Sequence, residues 1–325
     1  MKYLLSIFFT IFFFNSLGWA NESQSSEVKV TPLGGQEGEF CTFDRALIFE
    51  DPNGTRILYD AGRTVAGPDD PRLGNIDIIL ISHLHGDHIG DKHIPAINAG
   101  TCDKPAVSTS ALPSSNSINI AIKKQAAIVT GSEMPKFLAA KLKAAGGDPS
   151  KSLLVRFGAS KKIGGVEITT VPAAHSNGVS AGLIGGELGH SLDQMGLTAY
   201  VGPPTGYILT FSNGLVVYLS GDTGLTAEQE HVVGNYYQAK LAVMNIGDTY
   251  TTGPKEAAYV VNQMIKPKSV IASHANEEAT RNGQLLPDTR TALFKSLSKM
   301  PVHLPLSGKV MSFDAQGNCV KGCDI

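Results

Sequence analysis

Ile78-Ile79-Leu80-Ile81-Ser82-His83-Leu84-His85-Gly86-Asp87-His88 is the stretch on which the reading of this chain turns. A short continuous aliphatic run predicts a buried strand, and it empties directly into three histidines and an aspartate. Residues two apart at a strand end project to the same side. His83 and His85 can therefore offer neutral imidazole nitrogens to one cation, while Asp87 and His88 serve a second. Gly86 permits the tight chain path between the two pairs. The rival reading, core histidines capping a helix, is a poor one because imidazoles packed this densely repel one another when protonated.

One loop cannot fill two coordination spheres, so further ligands are expected downstream, each at the end of a strand facing the same cleft. Three residues meet that condition. His175 follows Ile168-Thr169-Thr170-Val171-Pro172-Ala173-Ala174, Asp222 follows Val216-Val217-Tyr218-Leu219-Ser220-Gly221, and His274 follows Val270-Ile271-Ala272-Ser273. A lone histidine at a strand end is more often a hydrogen-bonded surface residue than a ligand. It is their recurrence in one chain that turns them into a constellation.

Outward from these motifs the chain alternates. Strands are expected at Val28–Val30, Ala46–Phe49, Arg56–Tyr59, Ile76–Ser82, Ser152–Arg156, Val166–Val171, Gly206–Thr210, Leu215–Leu219, Leu241–Ile246, Ser269–Ala272 and Lys309–Phe313. Helical patterns cover Ser117–Gln125, Met134–Ala145, Thr226–Val233, Pro254–Ile265 and Asp288–Met300, with Gly146-Gly147 as a helix stop. Pro52-Asn53-Gly54 signals a hairpin, since Asn-Gly tolerates the positive φ of a tight turn. This order implies an α/β (α+β) chain with helices covering both faces of paired sheets. Ser176–Pro204, rich in glycine, reads as a long irregular segment and a candidate lid over the cleft.

Lys2, the apolar run Tyr3–Phe14 and Gly18-Trp19-Ala20 read as a signal peptide over residues 1–20. The run falls short of the roughly 20 residues a membrane-spanning helix needs. Residues 21–27 read as a flexible start and 28–325 as one domain, with a periplasmic or secreted location and no stable membrane insertion after cleavage. Losing Lys2 from 27 basic residues leaves 26 against 29 acidic, a formal charge of −3. That near-neutral balance lacks the basic footprint of a nucleic-acid binder, and a small-molecule substrate is expected. Oligomeric state is not legible. Cys41, Cys102, Cys319 and Cys323 would enter an oxidising compartment, where thiols pair. Four cysteines allow three pairings; the close pair Cys319 and Cys323 is read as a local staple rather than a thiolate metal site.

His83-x-His85-x-Asp87-His88, then His175, Asp222 within Ser220-Gly221-Asp222-Thr223-Gly224, and His274 resemble, in order, the motifs of the metallo-β-lactamase fold superfamily. Asp60 in Leu58-Tyr59-Asp60-Ala61-Gly62 is similar to that superfamily's early aspartate. The resemblance implies a four-layer αββα sandwich with metals at one edge. It implies His83, His85 and His175 on a first metal, Asp87, His88 and His274 on a second, Asp222 bridging, and Asp60 orienting the ligand loop through hydrogen bonds. A bridging aspartate departs from the antibiotic-destroying branch, so a true β-lactamase is not expected. A looser resemblance joins the chain to the branch of ascorbate phosphate lactonase and N-acyl phosphatidylethanolamine phospholipase D.

The function expected is hydrolysis of a lactone, ester or phosphodiester by a hydroxide bridging two divalent ions, zinc first, with manganese or iron as alternatives. Asp87 is a candidate proton shuttle. Tyr250, then Tyr207 and Tyr200, are candidates to assist the leaving group, against a plain role in core or rim packing. His190 is a candidate for substrate contact and Asp248 for the pocket wall. His93 reads as a surface residue of the helix after the metal loop, and His231 and His303 as structural. Two other classes fit the same ligands: an iron-dependent oxidoreductase, and a non-catalytic periplasmic protein that holds metal or ligand.

Overall fold

The computed structural model describes residues 26–112 and 114–323. The leader expected over residues 1–20, and most of the flexible start after it, lie outside the described residues. Two sheets form the centre. One has eight strands, in the order Cys319–Lys321, Met311–Phe313, Val28–Leu33, Ala46–Glu50, Arg56–Tyr59, Ile78–Leu80, Ala127–Thr130 and Ser152–Leu154. The other has seven: Val302–His303, Ser269–Ser273, Leu241–Asn245, Val216–Leu219, Thr205–Thr210, Val166–Pro172 and Ser160–Ile163.

Alternation along the strands separates three apolar layers, because successive side chains point to opposite faces. Leu47, Phe49, Ile57, Tyr59, Ile78 and Leu80 of the first sheet meet Ile168, Leu209, Val217, Leu219, Val243 and Ile271 of the second. Their neighbours Ile48, Leu58, Ile79 and Ile128 face outward onto Ile118, Ile120, Leu138 and Leu142 of helices Asn116–Lys124 and Met134–Ala144. On the far side Ile208, Tyr218, Met244 and Ala272 pack under Val260, Val261 and Met264. Those three belong to a π-type turn, Val260–Ile265, that continues helix Pro254–Tyr259. The four layers are helix, sheet, sheet, helix.

The hairpin at Asn53-Gly54 forms, with Gly54 at φ +92° and its N–H donating to the Asp51 carbonyl at 2.8 Å. Helix Met134–Ala144 stops at Gly146, φ +81°, where the Gly147 N–H returns to the Leu142 carbonyl at 2.8 Å. Three strands of these two sheets were not expected. Ala127–Thr130 is a four-residue buried run between two helices, Ser160–Ile163 is a mostly exposed edge strand of small and charged residues, and Cys319–Lys321 is a terminal edge.

Ser176–Pro204 is not irregular. It carries helices Ala181–Ile184 and Gly186–Gln194 between two short paired strands, Gly178–Val179 and Ala199–Tyr200. His93 lies on a two-residue strand rather than a helix, its Nδ1 2.8 Å from the Ile94 carbonyl. Disulfides join Cys41 to Cys102 and Cys319 to Cys323. Among the described residues no helix is long and apolar enough to cross a membrane.

Candidate metal centre

Strands Arg56–Tyr59, Ile78–Leu80, Val216–Leu219, Leu241–Asn245 and Ser269–Ser273 end at one edge of the sandwich. They deliver Asp60, His83, Asp222 and His274 to it. Strand Ala46–Glu50 runs antiparallel to Arg56–Tyr59, so its beginning lies at that same edge and Arg45 enters the cleft. Two tyrosines fasten the sheets just beneath. Tyr59 accepts from the Gly221 N–H at 2.9 Å, and the buried Tyr207 hydroxyl reaches the carbonyls of Ile81 at 2.7 Å and Val129 at 3.0 Å. Tyr207 is thus a core fastener, which corrects its candidacy to assist a leaving group.

His83, His85 and His175 bring one ligand atom each within 4.8 Å of one another, as do His83, His88 and Asp222, and Asp87, His88 and His274. His83 Nε2 and His85 Nδ1 stand 3.0 Å apart. Asp222 Oδ2 sits among four imidazoles, 3.2 Å from His88 Nε2 and His274 Nε2, 3.7 Å from His175 Nε2 and 3.9 Å from His83 Nε2. Its other oxygen, Oδ1, is buried without a hydrogen-bond partner. Asp60 accepts from the Ser82 N–H at 2.8 Å and the Ser82 hydroxyl at 2.7 Å, and lies 2.8 Å from His88 Nδ1. Asp60 and His274 both hold positive φ, +40° and +50°, backbone that costs a non-glycine residue energy and collects at functional sites.

Burial lowers the pKa of His83, His85 and His175, reinforced by neighbouring imidazoles. They stay neutral, as metal ligands must be. For His88 burial works in the same direction, but Asp222, Asp60 and Asp87 outweigh it and push the ring up to about 10. Burial would raise Asp222, yet His88 and His274 hold it well below the usual carboxylate range. Burial is likewise overcome at Asp87, where Arg45 is the largest opposing influence.

Arg45 is the residue that sequence reasoning missed. Its Nη1 forms an ion pair with Asp87 and lies 2.7 Å from His274 Nε2 and 3.2 Å from His88 Nε2. These are the three residues expected on a second metal. The first set, His83, His85 and His175 with Asp222, fits a metal: two imidazole nitrogens facing each other at 3.0 Å repel without a cation or proton between them, and the Asp222 Oδ1 lacks any other partner. The second set converges on a guanidinium nitrogen instead.

The cleft encloses about 810 Å³, walled by Phe43, Arg45, Arg63, His85, Asp87, His175, Asp222, Tyr250, His274 and Asn276 among others. Tyr250 is there, 68% exposed. Asp248 instead lines a neighbouring cavity, of about 820 Å³, between helices Pro254–Tyr259 and Arg290–Leu297. His190 and Tyr200 are exposed and outside the cleft wall, which corrects the substrate role considered for them. His303 is buried and its ring packs on Phe313.

Residues 55–275 match the family model described as the beta-lactamase superfamily domain. A UPF0173 metal-dependent hydrolase of Cupriavidus necator is 27% identical over 295 residues, covering 87% of this chain and 88% of that protein. Among solved structures, Igni18, a metallo hydrolase of the archaeon Ignicoccus hospitalis, aligns with TM-score 0.56 and 22% identity over 89% of this chain and 99% of its own. CmlA, a diiron β-hydroxylase of Streptomyces venezuelae, shares the fold at TM-score 0.53 and 11% identity over 89% of this chain and 54% of its own. The chain belongs to the metallo-β-lactamase superfamily and is a metal-dependent hydrolase, with its His and Asp metal-binding groups gathered at the strand ends.

Proposed function

We propose that this hydrolase cleaves a small lactone, ester or phosphodiester at the Asp222-centred cleft, using a two-cation centre. The observation that carries the reading is the gathering of His83, His85 and His175 beside Asp222, whose Oδ1 is buried with no other partner. A divalent ion held there, zinc by the choice of imidazole and carboxylate ligands, would supply an acidified water and a polarised substrate oxygen. The chain supplies the rest. Asp60 and Ser82 lock the tautomer and direction of His88 and His83. Arg45 and the cleft-lining Tyr250 face the substrate side, where developing negative charge and the leaving oxygen need donors. Asp87, paired to Arg45 and strongly acidic, is a poor proton acceptor; we assign it to holding Arg45 rather than to shuttling protons.

Two disulfides support export to an oxidising compartment, periplasmic or secreted. We propose a small-molecule substrate as the sole partner needed for turnover.

The test is a panel of lactones, esters and phosphodiesters offered to metal-loaded protein and to the chelator-stripped form. Turnover that disappears on stripping and in Asp222→Ala supports the reading. Inertness across the panel with metal bound would instead favour a binding protein. Oxygen consumption with an iron-loaded sample would favour the oxidoreductase class that the CmlA likeness in fold leaves open.

A further inference from the structure

We propose that the centre holds a single metal ion, at His83, His85, His175 and Asp222, and that the Arg45 guanidinium takes the place of the second. This rests on the reading that the first ligand set binds metal, and it names the second cation.

Arginine has donors only and stays charged in proteins. Its Nη1 has two hydrogens, which the Asp87 carboxylate and His274 Nε2 at 2.7 Å can accept, and His88 Nε2 closes the third side at 3.2 Å. His88 faces this space because its Nδ1 is 2.8 Å from Asp60 and gives its proton there. Asp87, His88 and His274 are the groups a second metal would use. A metal ion sits about 2.0–2.2 Å from such ligands, and Asp87 Oδ2 lies only 3.8 Å from His88 Nε2 and 3.6 Å from His274 Nε2. The space they enclose has room for one cationic atom.

Arg45 is held in that position from several sides. Its side chain is 2% exposed, its Nε donates to the Phe43 carbonyl at 3.3 Å, and a Cβ at Gly62 would stand 3.4 Å from its Cγ. The turn before it is clamped by the Cys41–Cys102 disulfide and by Asp44, which accepts from the N–H groups of Gly35 and Cys41 at 2.8 Å each.

The test is metal stoichiometry. Chelator-stripped full-length protein is titrated with Zn²⁺ near neutral pH, followed by calorimetry and native mass spectrometry. Wild type is expected to bind one ion, with any second at least about 100-fold weaker. Arg45→Met should take two ions of affinity within about tenfold of each other, and Arg45→Lys one. His175→Ala should bind none tightly, whereas His274→Ala keeps one. Two comparable ions on wild type overturn the proposal while leaving the hydrolase reading intact, as does a single ion on folded Arg45→Met. No ion on wild type overturns both. Should Arg45→Met fail to fold, wild type and the two histidine variants still decide.

Discussion

Replacing Asp60 by alanine tests how the ligand loop is held. The carboxylate receives three groups: the Ser82 N–H at 2.8 Å, the Ser82 hydroxyl at 2.7 Å and His88 Nδ1 at 2.8 Å, with all three residues buried. After truncation the hydroxyl can turn to His83 Nδ1, 3.0 Å away, and His88 Nδ1 keeps the Ser82 oxygen at 3.2 Å, so one donor, the Ser82 N–H, is left stranded. Each stranded buried donor costs about 1–3 kcal/mol. Alanine at the φ of +40° that Asp60 adopts adds about 1 kcal/mol, because a Cβ without a local hydrogen bond disfavours that region. The total is about 2–4 kcal/mol, a large part of the roughly 5–15 kcal/mol that holds a typical protein folded. Asp60→Asn keeps an acceptor for the Ser82 N–H and tolerates positive φ, so its loss should be about 1–2 kcal/mol. Urea unfolding of metal-free protein, read by circular dichroism, gives both values at a common m. An Asp60→Ala midpoint within about 1 kcal/mol of wild type at unchanged m would refute the view that Asp60 anchors the loop.

Other consequences follow from the same geometry. Opening the Cys41–Cys102 bridge, which closes 61 residues, as Cys41→Ser/Cys102→Ser should cost about 4 kcal/mol by loop entropy; an unchanged urea midpoint would show that the turn before Arg45 is held without it. Metal-free protein should be most stable near neutral pH. Below the ordinary imidazole value of 6.5 the unfolded chain takes up protons that folded His83, His85 and His175 refuse, so stability falls as pH falls. Above 6.5 the contribution of His88, whose folded pKa is about 10, is lost as pH rises toward that value. Urea midpoints across this range check both limbs, and a profile flat on either side removes its cause. Tyr207→Phe should lose about 1 kcal/mol of stability but keep metal stoichiometry and turnover; collapse of turnover with stability intact would restore Tyr207 as a candidate acid.

Much of the fold was legible because its strands are short aliphatic runs ended by glycine, proline or a polar ligand, and because their hydrophobic period says which faces are buried. Ser176–Pro204 misled for the opposite reason. Its two helices are short and glycine-rich, Gly186–Gln194 is largely exposed, and the pairing of Gly178–Val179 with Ala199–Tyr200 that encloses them is not local. Ala127–Thr130 is too brief to stand out between two helical patterns, yet it is a parallel interior strand because Ile78–Leu80 and Ser152–Leu154 flank it.

The sequence by itself determined the ligand types, their order and the strand ends that carry them, since a His-x-His spacing at the end of an apolar run already specifies which side chains point the same way. Tertiary structure alone decided what lies between Asp87, His88 and His274. An arginine before a strand looks like any solvated cation. Only the antiparallel register of Ala46–Glu50 on Arg56–Tyr59, with the distant Cys102 tethering the preceding turn, carries Arg45 into the cleft. There a nitrogen that never loses its charge meets lone pairs contributed by residues 42 and 229 positions further along the chain.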